Sequence, residues 1–290
     1  MSAIYKKELK SFFSNVTGFV FIAFFLAVIG IYAGIICFTQ GSPSFEYIYF
    51  NVSFVFLIAV PILTMRSFSE ERKQKTDQLL FSLPIRTSAI VLGKYFAMLT
   101  VYAVPVAVSC IYPLILSLFD PAGFISYTAV YSTALAFFLL GAALIAIGML
   151  MSSVTENQII AAILSFGAVF ICYMMDSLSG FIPTASSVSL IGLAVLSLIV
   201  SLIVYFFTKS SNIAWILFVI LDLPLIIISF VDPTLLEGLL PTVLGTLSVF
   251  GRFNSFANGI FDVKSIVYFL SVIVLFNVFT IQSFDKRRWS

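Results

Sequence analysis

The stretch Val16-Thr-Gly-Phe-Val-Phe-Ile-Ala-Phe-Phe-Leu-Ala-Val-Ile-Gly-Ile-Tyr-Ala-Gly-Ile-Ile-Cys-Phe38 holds 23 residues without one charge. A helix rises about 1.5 Å per residue, so this run is long enough to cross the roughly 30 Å of hydrocarbon in a bilayer. It exceeds the apolar region of a cleavable signal peptide, about 7–15 residues, and no small-residue cleavage site follows it. It therefore reads as a transmembrane helix.

Seven more runs of the same kind follow: Ile48–Met65, Tyr95–Phe119, Ile125–Met151, Ile159–Met175, Val188–Thr208, Ile213–Val231 and Ser265–Gln282. Composition agrees. The 290 residues are 61% hydrophobic and 10% charged, where soluble domains run at about 45–50% and about 25%. The chain reads as an all-α polytopic membrane protein of about eight transmembrane helices, a single domain over residues 1–290. Asp222 and Pro224 interrupt the seventh run and make it the weakest.

The basic residues orient the spans. With the N-terminus in the cytoplasm, 13 of the 15 Lys and Arg residues fall inside, leaving Arg252 and Lys264 outside. Both termini are then cytoplasmic. Residues 232–264 form an outer segment too apolar for an ordinary loop, with Leu236, Leu239, Leu240, Val243, Leu247 and Phe250 at helical spacings. Gly238, Pro241, Gly245 and Gly251 break it, so it reads as one or two short helices in the interface or re-entering from it.

Several chemistries are excluded. With no histidine, imidazole catalysis and His-ligated metals fall away. Cys37, Cys110 and Cys172 lie far apart in apolar stretches and form no metal spacing. A net charge of +2 offers no patch for nucleic acid. No GxxxxGK[ST] string occurs, so the chain has no P-loop for ATP.

The cytoplasmic pieces carry more information. In residues 1–15, Tyr5, Leu9, Phe12 and Val16 share one helical stripe, and Lys6 and Lys10 another. This predicts an amphipathic helix on the inner leaflet, with a plain basic anchor as the other reading. Residues 66–84 join the second and third spans. Glu71 and Lys75 stand in the favoured i,i+4 order; Thr76, Leu79, Leu80 and Leu83 build an apolar face; Pro84 ends the helix. A solvated connector is the plain alternative, but leucines shown to the cytoplasm need a partner or the inner leaflet. Thr155 with Gln158 fits a capping box opening the fifth span.

Here the residues match a family. Pro61-Ile-Leu-Thr-Met-Arg66-Ser-Phe-Ser-Glu70-Glu71-Arg72, then Thr76, Leu79-Leu80, Pro84 and Val91-Leu-Gly93-Lys94-Tyr, resemble permease subunits of type-2 ABC transporters. The nearest likeness is to the gliding-motility-associated and nitrous-oxide-maturation branch. Ser152-Ser-Val-Thr-Glu-Asn-Gln158 and the ending with Gly259-Ile-Phe-Asp262, Tyr268-Phe-Leu-Ser271 and Arg287-Arg-Trp289 agree. The likeness covers roughly residues 1–178 and 250–290. Two departures stand out: Thr76-Asp-Gln-Leu-Leu replaces Thr-Leu-Glu-Leu-Leu, and residues 180–232 add two spans to the family's six-helix core.

The resemblance implies that residues 66–84 are a coupling helix docking on a separate ATPase, with contacts from Arg66, Glu70, Glu71, Arg72, Thr76, Leu79 and Leu80. The short loop Ser152–Gln158, with Thr155 and Glu156, would form a second, smaller contact. It further implies a non-catalytic permease half in a bacterial plasma membrane, working as an exporter with a cytoplasmic ABC ATPase dimer and a second permease copy or paralogue. An accessory extracytoplasmic subunit and membrane lipid complete the implied partners. This chain would hold no cofactor, ATP and Mg residing on the ATPase. The residues themselves leave import, export and mechanical work on a partner open, and do not name the substrate. The rival readings are a secondary transporter, for which Asp222 beside Pro224 is the qualifying feature, and an integral scaffold. Asp222 itself reads either as a structural hydrogen-bonded residue or as a cargo or proton site.

Overall fold

The computed structural model describes residues 1–39, 45–76, 85–118, 126–208 and 210–288, the side chains at 38, 39, 206–208, 287 and 288 excepted. Among them the chain is all-helical, and eight helices are long and apolar enough to cross a membrane. Packing divides them into two units, residues 1–171 with 252–290, and residues 172–251.

The first unit is built on α8 (Tyr127–Val154), the fourth spanning helix, which buries residues on every side. A helix apolar all round belongs at the centre of a bundle, and α8 earns that place with small residues. At Gly141 an added Cβ would strike the Tyr102 ring; at Gly148 it would press on the Thr64 and Ser165 hydroxyls. Such positions let helices approach closely where no hydrophobic drive separates helix from lipid.

Around α8 pack α3 (Glu46–Val52), α4 (Phe56–Thr64), α6 (Thr87–Ser109) and α14 (Val263–Arg288), while α2 (Val16–Ala33) packs on α3, α4 and α6 and touches α8 through Phe25. Phe137 of α8 centres an aromatic cluster, 4.9 Å from Phe56, 5.1 Å from Tyr49 and 6.0 Å from Phe25 between ring centroids. The phenols inside it find partners, as buried hydroxyls must. Tyr102 donates to the Phe137 carbonyl at 2.7 Å, Tyr95 to the Ala142 carbonyl at 3.1 Å, and Tyr49 lies 3.0 Å from Ser109 Oγ. A short α7 (Tyr112–Ser117) extends the third span.

α1 (Ser2–Ser14) is amphipathic as the sequence suggests, but its inner face rests on protein. Ile4 is buried against Gly93 of α6, and Tyr5 lies 3.0 Å from the Thr100 hydroxyl, while Lys6 and Lys10 are exposed. The third spanning helix starts at Thr87, two turns before the expected Tyr95. Lys94 thus stands on the helix rather than in the connector before it.

The second unit holds the end of α9 (Gln158–Phe181), then α10 (Ser186–Thr208), α11 (Ser211–Val231), a 3-10 turn Pro233–Leu236, α12 (Leu239–Leu247) and the start of α13 (Val249–Ala257). Its small core joins Leu193, Leu240 and Leu244, with Gly192 admitting the Leu240 side chain. Gly238 opens α12 at φ +70°, a backbone conformation that suits a residue without Cβ, and its N–H reaches the Thr184 carbonyl at 2.8 Å. The apolar run after Asp232 is therefore two short helices, parted at Ser248, and as a bent pair it counts as an optional ninth span.

Candidate coupling site

The second spanning helix continues through a turn at Met65–Phe68 into α5 (Ser69–Lys73), where the sequence placed its coupling segment. The turn is held from outside. Ser152, at the end of α8, accepts the Phe68 N–H at 3.2 Å and the Ser69 N–H at 3.4 Å, and its own hydroxyl donates to the Met65 carbonyl at 3.2 Å. One side chain from the end of the central helix thus satisfies three orphan groups of a neighbouring helix end.

α5 is short because it closes on itself. Lys75 adopts φ +55°, the Thr76 N–H returns to the Glu71 carbonyl at 2.9 Å, and the Lys75 N–H to the Arg72 carbonyl at 3.1 Å. That is a Schellman closure with lysine in the left-handed place usually taken by glycine. The expected continuous helix from 66 to Pro84 is thus broken at Lys75, and Glu71 does not pair with it. Leu79 and Leu80 lie outside the described residues.

Glu71 instead turns inward. Its Oε1 sits 2.9 Å from Lys94 Nζ and 3.4 Å from Lys7 Nζ, and the same ammonium of Lys94 is 3.1 Å from Glu8 Oε1. Lys94 is 2% exposed and donates also to the Ser67 carbonyl at 2.8 Å, with its charge 5.3 Å from the centre of the Phe68 ring. A buried ammonium is tolerable when its three protons all find acceptors and its charge is neutralised. Here α1, α5 and α6 each supply one member of that arrangement. Beside it opens a polar cavity of about 330 Å³, bordered by Lys7, Ser11, Asn15, Thr17, Glu70 and Gln74 among others.

The structure therefore brings Arg66, Glu70, Glu71, Arg72 and Thr76 together. Arg66 is exposed, its guanidinium 3.4 Å from the Thr17 hydroxyl; Glu70 accepts from Gln74 at 3.4 Å; Arg72 is buried; and Thr76 donates to the Glu71 carbonyl at 3.3 Å. Thr155 and Glu156 lie on the turn between α8 and α9, one turn of chain beyond Ser152. The cap there is Asn157, whose side chain accepts the Ile159 N–H at 2.9 Å, while Thr155 accepts from the Asn157 N–H at 3.2 Å. The expected Thr155–Gln158 box is thus displaced by an asparagine, an equally good N-cap that stands one residue before the helix. Asp222 belongs to the second unit and has no part in this site.

Glu8 and Lys94 were missed as site residues, and Ser152 was read only as the start of the smaller contact loop. One signal was present: Glu8 is the lone acid among Lys6, Lys7 and Lys10. Among the described residues no cluster of three or more Cys, Asp or Glu side chains offers a metal site.

The family model described as ABC-2 family transporter protein matches residues 5–208. The chain belongs to that family. The match starts in α1, takes in α5 and the Lys94 cluster, and ends with α10, the first of the two spans the resemblance had left outside the six-helix core. Neither a curated protein nor a solved structure matches the chain. This ABC-2 protein is accordingly a multi-pass membrane component of an ABC transporter.

Proposed function

We propose that the chain is the permease half of an ABC exporter in a bacterial plasma membrane, docked through α5 and the residues after it on a separate ATPase dimer. The branch assignment to gliding-motility-associated or nitrous-oxide-maturation permeases goes with this reading, as do a second permease copy or paralogue and an accessory subunit outside. Hydrolysis and its ATP and Mg belong to the partner. Both termini and α5 face the cytoplasm, Arg252 the outside; the two packing units serve one permease. The basic-residue distribution supports that orientation.

The observation that carries the proposal is how α5 is mounted. Its inner side is fixed by Glu71–Lys94 and by Ser152, while Arg66, Lys73 and Lys75 remain exposed. A charged segment held rigidly with one face free suits docking on a partner. Thr155 and Glu156 add the second contact.

Two measurements test it. Co-purification with the ATPase subunit, and its turnover, should fall for Glu70→Lys and for Leu79→Ala/Leu80→Ala, each leucine contributing about 1–3 kcal/mol if it is a central contact. Parental assembly and transport in both variants would reduce the segment to a connector. In a cysteine-free background, a cysteine at position 75 should resist impermeant maleimide in intact cells and one at 252 should react. The reverse pattern overturns the orientation.

A further inference from the structure

The hairpin of α10 and α11 holds an acid with a single side-chain partner among the described residues. Asp222 is 7% exposed and is the buried residue of α11. Ser197 Oγ lies 2.5 Å from its Oδ2 and 2.8 Å from the Ala194 carbonyl. A hydroxyl has one hydrogen and cannot donate to both the carbonyl and an ionised carboxylate. Among the described residues no Lys or Arg forms an ion pair with Asp222. A carboxyl group in a spanning helix normally marks a partner or a pathway.

One helical turn along α10 stands Ser201, 6% exposed, whose hydroxyl has no partner. Other serines on the spans, such as Ser109, Ser153, Ser229 and Ser271, bond back to their own helix. Ser201 instead borders a groove of about 350 Å³ between the two helices, lined also by Leu198, Leu202, Tyr205, Trp215 and Phe218. Phe218 and Ser201 each stand one helical turn from a member of the Ser197–Asp222 pair, so the pair follows the groove along the hairpin without lining it. The Trp215 and Phe218 rings meet edge to face, 6.0 Å between centroids.

We propose that this groove binds a lipophilic monocation, an organic ammonium or phosphonium with apolar substituents. Charge complementarity selects it. The acid supplies the counter-charge, the Trp215, Tyr205 and Phe218 faces favour a cation desolvated against them, and the leucines cover its apolar groups. The volume is at the lower end of small-molecule sites, about 300–1,000 Å³. A neutral amphiphile would gain the apolar contacts and leave the acid as it is. As the cargo class of the transporter this rests on the permease reading; as a binding site it does not.

The test uses the full chain, without ATPase, in nanodiscs of zwitterionic lipid. Trp289→Phe leaves Trp215 the sole tryptophan of the two, so energy transfer from it to rhodamine 6G reports occupancy. Transfer should saturate and be displaced by tetraphenylphosphonium, about tenfold or more less effectively by neutral triphenylphosphine oxide. Asp222→Asn should weaken tetraphenylphosphonium binding about tenfold or more, and Asp222→Glu less. Should Asp222→Asn fail to fold, Trp215→Ala with radiolabelled tetraphenylphosphonium serves instead, again with weakened binding expected. Equal competition by the neutral oxide, or parental affinity in the variant used, overturns the proposal. Co-purification of the same variants co-expressed with the ATPase subunit reports on the permease reading separately.

Discussion

Lys94 and Asp222 are both ionisable, both buried and both on spanning helices, yet they sit in opposite surroundings. Lys94 has two carboxylates, a carbonyl and an aromatic face around it, drawn from α1, the Met65–Phe68 turn and α5. Asp222 has one hydroxyl, already within reach of a carbonyl. The units that hold them differ in the same sense. In α8 of the first unit, 78% of the most apolar window is buried; in α11 of the second, 6%. The junction around Lys94 neutralises its charge internally, although Glu71 Oε2 and Ser67 Oγ stay without a partner among the described residues, while Asp222 has no such neutralising charge there.

The largest effect should follow from opening the closed junction. Lys94→Met strands Glu8 and Glu71, whose side chains are 15% exposed. Removing one partner of a buried pair costs about 3–5 kcal/mol. Lys7 lies 3.6 Å from Glu8 and 3.4 Å from Glu71 and can swing closer, so the lower end is expected. Thermal unfolding of the purified chain in detergent should show this loss, and Lys94→Met with Glu8→Gln and Glu71→Gln should regain most of it. A single variant as stable as the parent would mean that the junction is a surface pair.

Glycine contacts give a second contrast. Gly141→Ala drives a methyl into the Tyr102 ring, which is fully buried and pinned through its hydroxyl to Phe137. The ring cannot retreat, and overpacking of this kind costs about 1–3 kcal/mol. Gly192→Ala meets the tip of Leu240, a flexible side chain. Its rotation, together with alanine's better helix propensity of about 1 kcal/mol, should leave that variant within about 1 kcal/mol of the parent. Melting curves of the two variants compared directly would collapse the contrast if the order reversed.

The two units were unequally legible in the sequence. Eight spans could be read because hydrocarbon thickness imposes a minimum apolar length and nothing else in the chain competes with that signal. Asp222 was visible for the same reason, as a charge where none is cheap. Lys94 misled: a lysine beside an apolar run reads as the run's boundary, and its place inside α6 depends on Glu8 and Glu71, which no local window contains. The end of α5 was hidden because its left-handed residue is Lys75 rather than glycine, so Pro84 was the nearest visible stop. At the α8–α9 turn Thr155 and Asn157 are both capping residues, and spacing to Gln158 alone could not choose between them. Covalent sequence shows what a segment can bury; it does not show which distant side chain will neutralise it.

The smallest effect should come from Asp222 itself. Asp222→Asn keeps a carbonyl oxygen for the Ser197 hydroxyl, so one modest hydrogen bond is retained, and such bonds contribute about 0.5–1.5 kcal/mol. It also removes a carboxyl group from a spanning helix, a placement that insertion scales put at about 2.5–3.5 kcal/mol for a charged aspartate. These terms oppose, and among the described residues the acid has no ion pair to break. Unfolding of Asp222→Asn should therefore lie within about 1 kcal/mol of the parent, well short of Lys94→Met. That near-equality is what makes a loss of cation binding in the same variant interpretable, since a folded chain would then lack only its counter-charge. A destabilisation matching that of Lys94→Met would instead show that Asp222 is held by the fold as tightly as Lys94, and the distinction between a closed and an open junction would fail.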